Sequence, residues 1–364
     1  MEWKEILFDD FCRLNRGFDL PNNNIVEGDV PVVASSSIKA FHNVAKVKGP
    51  GVVTGRSGTL GIIQYVEQDF WPLNTSLYVK DFKGNSPKFC FYVLQMMHLE
   101  NFNAGAGVPT LNQNHLHKLK IKVPATYDEQ EKVASVLSNY DTLIDINTKR
   151  IKLLEESAHE LYKEWFVRMR FPGYEQTKFV KGIPEGWKYM RIDEFAELSA
   201  GSDKPKDFSE FVTDDYKVPV FSNGITNDGL QGYTRTARIT EPSVTVSARG
   251  TIGFVRLREE PYVPIVRLVV LMPQKNRLPL IFMYHLIDSI PIFGTGASQE
   301  QLTVPDFSKV KVLVPTKNLT NIFSEIVKPL YTELNLLKDT NNNLAATRDR
   351  LLPRLLSGEL KVKA

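Results

Sequence analysis

The chain repeats itself once, and this constrains its fold more than any other feature. Trp3-Lys4 is echoed by Trp187-Lys188, with Asp9 and Asp193 following each. Val30-Pro31-Val32 returns as Val218-Pro219-Val220. The loop Gly55-Arg56-Ser57-Gly58-Thr59-Leu60-Gly61 returns as Ala248-Arg249-Gly250-Thr251-Ile252-Gly253, with Arg and one Gly drawn together. Gly105-Ala106-Gly107 is answered by Gly294-Thr295-Gly296, and Lys118-Leu119-Lys120-Ile121-Lys122-Val123-Pro124 by Lys309-Val310-Lys311-Val312-Leu313-Val314-Pro315. These landmarks keep their order at offsets of 184 to 192 residues, so the chain is a tandem duplication. Two units make a paired architecture, not a solenoid. A length of 364 residues supports two cores, since one core rarely serves beyond roughly 250–300 residues.

Each copy divides in two. Residues 1–126, and 171–316 after a linker, carry short β-type runs punctuated by Gly, Pro, Asn and Ser. Examples are 52–54, 61–66, 75–79 and 121–123, matched by 244–247 and 266–271, with a helical patch at 88–99 and at 279–287. This predicts α+β modules dominated by a twisted sheet.

The segments 127–170 and 317–364 differ. Val133, Leu137, Tyr140, Ile144, Asn147, Ile151, Leu154, Ala158, Leu161 and Trp165, apolar but for Asn147, alternate steps of 4 and 3, the signature of a helical seam. The second seam reads Phe323, Ile326, Leu330, Leu334, Leu337, Asn341, Leu344, Arg348, Leu351 and Leu355, with one extra step of 4 near its start. Pro329 is expected to kink or delay this helix, and Pro353 to do the same near its end. A helix of about 33 residues spans about 50 Å, too long to bury its stripe in its own module. The simplest partner is the other long helix, antiparallel within the chain; a parallel pair between two chains would use the same seam. Asn147 and Asn341 either fix the register of that seam or sit at its wet edge. Trp165 reads as a core anchor, while Tyr162 and Phe166 suit either a core or a docking surface. Lys149, Arg150, Lys152, Glu155, Glu156 and Glu160 form a solvated or a docking face.

A net charge of +3 permits an anionic partner and confines any basic footprint to a local patch. Cys12 and Cys90 have no metal-ligand spacing and read as buried, reduced thiols. No run approaches the ~20 apolar residues of a membrane span, and the charged N-terminus lacks a signal core, so cytoplasm is the expected compartment. No phosphate-binding Gly-x-x-x-x-Gly-Lys loop, dinucleotide-binding fingerprint, Asn/Asp-Pro-Pro-aromatic motif or helical His pair occurs, so no catalytic or metal site is expected. Gln130-Glu131-Lys132 imitates the end of a nuclease motif but opens the long helix, where it reads as a solvated first turn. The Gly55–Gly61 stretch precedes a strand instead of a helix, so it reads as a hairpin turn presenting Arg56.

The order of sheet-rich module, Gly-Arg-Ser-Gly-Thr-Leu-Gly loop, Gly-x-Gly segment, basic strand ending in Val-Pro and long helix, all repeated, resembles the specificity subunit of type I restriction-modification systems. The tail Thr347-Arg348-Asp349-Arg350-Leu351-Leu352-Pro353-Arg354-Leu355-Leu356-Ser357-Gly358-Glu359-Leu360 and the entry Pro184-Glu185-Gly186-Trp187 are similar to family segments. The resemblance spans essentially the whole chain. It implies two target-recognition domains, each reading one half of a split double-stranded DNA site. It also implies a pair of antiparallel helices that space the domains and dock two methyltransferase subunits, to which restriction-translocase subunits add. Catalysis and S-adenosylmethionine would belong to those partners, leaving this chain without a cofactor.

Base and phosphate contacts need cations, amides and hydroxyls. The first module offers Ser36, Lys39, Asn43, Arg56, Ser57, Asn112, Gln113 and Asn114. The second offers Ser222, Asn223, Arg235, Arg238, Arg249, Thr251, Gln299 and Gln301. A coiled-coil scaffold without DNA specificity is the alternative reading.

Overall fold

A computed structural model describes residues 2–294 and 300–362. The chain packs as two compact units, one comprising residues up to Lys149 with those from Lys338 onward, the other Arg150–Leu337. The division falls inside both long helices, so each unit holds one sheet-rich module and part of each helix.

In the first unit, Trp3–Leu7 pairs antiparallel with Lys120–Pro124. A four-stranded sheet runs in the order Arg13–Arg16, Ser76–Asp81, Gly51–Gly55, Ile63–Val66. A three-stranded sheet runs Ile38–His42, Val30–Val33, Trp71–Pro72, its last pair parallel. The second unit repeats each of these. Lys188–Arg191 pairs with Lys311–Val314. The larger sheet runs Ala196–Ala200, Leu268–Pro273, Ser243–Ser247, Val255–Arg258. The smaller runs Leu230–Thr234, Val218–Phe221, Val263–Pro264, again with a parallel last pair. Even the hairpin irregularity recurs, at Val32/Val33 and at Val220/Phe221. The inner strands Gly51–Gly55 and Ser243–Ser247 are buried along their whole length. Against each larger sheet packs one short helix, Pro87–Met96 or Leu280–Ser289. Ser86 starts the first of these, its hydroxyl accepting from the Phe89 amide (3.1 Å), with Pro87 supplying a fixed φ at the first helical position.

The long helices are Tyr127–Tyr162, 36 residues, and Lys317–Leu356, 40 residues. No seam position from Val133 to Trp165 is exposed, and the same holds for Leu330, Leu334, Leu337, Asn341, Leu344, Leu351 and Leu355. In the first unit the helices run antiparallel. Asn147 Nδ2 donates to Asn341 Oδ1 (2.9 Å), Arg348 bonds Asp141 (2.5 Å), and Leu137 shares a core with Leu355. The two asparagines are therefore each other's partner, a pairing that a slip in register would break. In the second unit Arg150 pairs with Glu333, and the Tyr162 and Phe323 rings lie 5.8 Å apart.

Three expectations need correction. Ile326 is not in the seam: it is 48% exposed, while Val327 is fully buried. With Val327 in its place the steps of 4 and 3 run unbroken from Phe323 to Leu355, and the extra step disappears. Neither Pro329 nor Pro353 delays the helix; both lie within Lys317–Leu356. Both are exposed, and so is Glu325, so the carbonyl that Pro329 leaves without a donor can face water. Gln130 is not in a solvated turn; it is 1% exposed and hydrogen-bonded on all sides. Tyr162, Trp165 and Phe166 all belong to the core of the second unit. Cys12 and Cys90 are buried free thiols. No helix among the described residues is long and apolar enough to cross a membrane.

The second core also buries a histidine. His285 shares a 3.1 Å hydrogen bond with the Tyr331 hydroxyl and stacks on Tyr162, with ring centroids 5.5 Å apart. Burial, with His159 nearby, pulls its imidazole down to about 3. The unfolded chain, whose histidines titrate at about 6.5, takes up this proton first as pH falls. The stability His285 contributes is therefore complete above about pH 6.5 and is lost towards pH 3, at roughly 1.4 kcal/mol per pH unit. Asp288, whose carboxyl burial raises, has the opposite sign and blunts the slope at its acid end. Urea unfolding of the second unit at pH 7 and pH 5 should differ by about 2 kcal/mol. The difference should shrink in His285→Gln; an unchanged slope would remove His285 as its source.

Candidate nucleic-acid interface

In each module the inner strand of the larger sheet and its edge neighbour make a hairpin whose loop is residues 56–62 or 248–254. In the first, the Arg56 amide donates to Thr75 O (2.8 Å), and the Arg56 carbonyl accepts from the Leu111 amide (2.8 Å). In the second, the Ala248 amide donates to Arg267 O and its carbonyl accepts from the Leu302 amide, both 2.8 Å. Ala248 therefore occupies the place of Arg56, and Arg249 that of Ser57. Gly58 and Gly61 are left-handed (φ +86° and +85°), as are Gly250 and Gly253 (φ +75° and +83°), which fixes the same one-to-one alignment. The loops are equal in length. The apparent closing-up of Arg and Gly in the sequence is a shift of the arginine by one residue, so the two cations are not equivalent.

Around the first loop, Arg56 Nη1 donates to Asn74 O (3.2 Å), and Asn74 Nδ2 bonds Asp19. Ser57 bridges Thr110. A Cβ on Gly55 would lie 1.9 Å from Thr59 O and 3.2 Å from Ser35 Cβ, so the turn 34–37 sits against this loop. The turn that carries exposed Ser36 thus packs against the loop that carries Arg56 and Ser57. Lys39 donates to Asn22 (2.9 Å) and lines a cleft with Asp19, Asn74 and Thr75. Asn112 follows Leu111; its carboxamide accepts from the Asn114 amide (3.0 Å) and caps the helix Gln113–His117, so part of its polarity is used internally. Gln113 is half-buried and Asn114 exposed. Asn43 lies elsewhere. Val33 faces Ile38 at the turn end of its hairpin, whereas Val30 faces His42 at the other, and Asn43 follows His42.

The second module repeats the split. Asn223 Nδ2 donates to Arg249 O (2.6 Å), and the Thr251 hydroxyl bonds Asn223 O. Ser222 adjoins them, and Gln301 precedes Leu302 and sits by Gly294. Arg235 and Arg238 follow Thr234, which faces Val218 at the far end of the hairpin from Phe221 and Leu230. Arg235 lies over the Tyr216 ring (4.6 Å) and 3.9 Å from Asp207. Gln299 lies outside the described residues.

Reasoning from sequence missed three features. Arg267, exposed and left-handed at φ +75°, takes the position of Thr75 and adds a second cation next to Arg249. A lone Arg breaking an apolar run was its only signal. Asp19 and Asn74 join the first interface through contacts that no local pattern shows. Arg258 is 8% exposed, donating to Thr245 Oγ1 (3.2 Å) and Asp228 O (2.7 Å) above the Phe221 ring (3.6 Å). Burial pulls its guanidinium down to about 10, with Asp228 opposing, so it remains charged at neutral pH.

The family model of the type I restriction modification DNA specificity domain matches residues 1–156 and again 184–346. A putative type I specificity subunit of Mycoplasma pneumoniae is 31% identical over 268 residues, covering 70% of this chain and 76% of that protein. The MjaIX type I specificity subunit of Methanocaldococcus jannaschii is 24% identical, covering 95% and 91%. A crystal structure of a type I S subunit from M. genitalium superimposes with a TM-score of 0.61 at 18% identity, covering 97% of this chain and 96% of that one.

Proposed function

The chain belongs to the family of type I restriction-modification DNA specificity subunits, and from that membership we propose how its parts divide the work. Each module reads one half of a bipartite double-stranded DNA site through the loop cluster at 34–39, 56–57 and 74–75, or at 222–223, 249–251 and 267. The observation that carries this reading is the pairing itself. Two modules share strand order and loop backbone yet place different side chains on equivalent positions, which suits two different half-sites on one scaffold. The chain is non-catalytic and binds no cofactor. Methyl transfer and S-adenosylmethionine belong to methyltransferase subunits, two of them, with restriction subunits added, in the cytoplasm. Exposed Leu143 and Ile146 in the first unit, and Ile322 and Ile326 in the second, offer each unit an apolar helix face for such a partner.

Arg56→Ala should relax recognition at one half-site and Arg249→Ala at the other, each by roughly 1–3 kcal/mol. Methylation mapping on a library varied in each half separately measures both. Equal loss on every sequence would mean phosphate contact alone. Deleting the gene should erase a split-sequence methylation mark; if no mark disappears, the reading fails. The scaffold alternative requires that no DNA is bound at low salt even with methyltransferase subunits present.

A further inference from the structure

Both modules bridge their two sheets with a side chain from the same strand position, using different chemistry. Gln64 faces Val53 across its hairpin, and Arg256 faces Thr245 at the corresponding place. Gln64 Nε2 donates to Ala34 O (2.8 Å), where the chain enters the turn that carries Ser36. Arg256 Nε donates to Asp228 Oδ1 (2.6 Å), and Arg258 Nη2 to Asp228 O (2.7 Å), on the loop that carries Ser222 and Asn223. Where Arg258 stands, the first module has Val66. Asn227 and Asp228 are both left-handed (φ +52°), a conformation that Asn and Asp adopt more readily than other residues with side chains. The other flank of the loop is held by Asn223 to the Arg249 carbonyl. A core needing only burial would use an apolar side chain here, because a buried guanidinium loses its hydration. Both ties end on the reading loops, outside the strands.

We propose that Gln64 in the first module, and Arg256 with Arg258 in the second, are positioning residues that set the stance of loops 34–37 and 222–229. Target choice then depends on side chains that never touch DNA. One strut is neutral and the other ionic, so loops cannot be exchanged between modules without their struts. The proposal rests on the reading that these loops face DNA.

The test uses the full complex with its methyltransferase subunits, acting on a DNA library varied in each half-site. Arg256→Met should lower discrimination about tenfold at the second half-site and leave the first unchanged, with Arg256→Lys restoring most of it. Gln64→Leu should do the converse. Asn223→Ala and Ser36→Ala test the underlying reading: if neither shifts sequence preference, the loops do not read DNA. If they shift it while Arg256→Met and Gln64→Leu lower methylation of all sequences in proportion, or change nothing, the positioning role is overturned. A lowered thermal midpoint with discrimination intact overturns it too.

Discussion

Phe323→Ala should cost the second unit about 4 kcal/mol and lower its unfolding midpoint without shifting that of the first. Phe323 is fully buried near the start of the second long helix. Its ring meets Tyr162, Trp165, Phe166, Phe282 and His285 at centroid distances of 5.3 to 6.2 Å. Those rings come from the first long helix, the π-type turn Lys163–Val167 and the short helix Leu280–Ser289. Truncation removes the edge-to-face contacts along with the buried area, and rings so interlocked cannot collapse into the void. Denaturant unfolding with a probe in each unit measures the effect. A cost below about 2 kcal/mol would mean that the cluster repacks.

Gln130→Ala is expected to cost the first unit about 3 kcal/mol. Gln130 Oε1 accepts from the Ser86 amide (2.9 Å), and Nε2 donates to Asn85 Oδ1 (2.7 Å) and Pro124 O (3.2 Å). Asn85 in turn donates to Phe11 O (2.8 Å) and Phe82 O (3.1 Å). One carboxamide at the start of the long helix thus ties that helix to the module. Its loss leaves buried polar groups without partners, at about 1–3 kcal/mol each. Asn85→Ala breaks the same network, so the double variant should be clearly less destabilised than the sum of the two. Strict additivity would show that the two side chains act separately.

The glutamine also shows where reading a sequence stops. Gln130-Glu131-Lys132 looks polar, and a polar first turn reads as solvated. Nothing local announces that Asn85, far earlier in the chain, supplies its partner. The seam of Tyr127–Tyr162 was legible throughout, because a stripe repeating every seven residues is a local property of the chain. The second seam was misread at one position, where Ile326 and Val327 are equally apolar and only packing separates them. Pro329 misled for a related reason, since a proline's effect on a helix depends on which side faces water.

The candidate interface followed the same rule. Polar side chains carried on loops are visible in the sequence, whereas Asp19, Asn74, Gln64, Arg256, Arg258 and Arg267 join them through contacts made only in the fold. Asn43, Arg235 and Arg238 entered the candidate sets by polarity, and the hairpins carry them to the end opposite Ser36 and Asn223.

The duplication, the alternation of sheet-rich and helical segments and the heptad seam are all written in the order of residues, because periodicity and turn chemistry act over short stretches of chain. Which cation answers which depended on tertiary structure. Arg56 and Arg249 look like counterparts in a linear comparison, yet the backbone hydrogen bonds that Arg56 makes with Thr75 and Leu111, and Ala248 with Arg267 and Leu302, set them one residue apart. Equivalence between two loops is fixed by the distant strands and turns that hold them, and those partners meet only once the chain has folded.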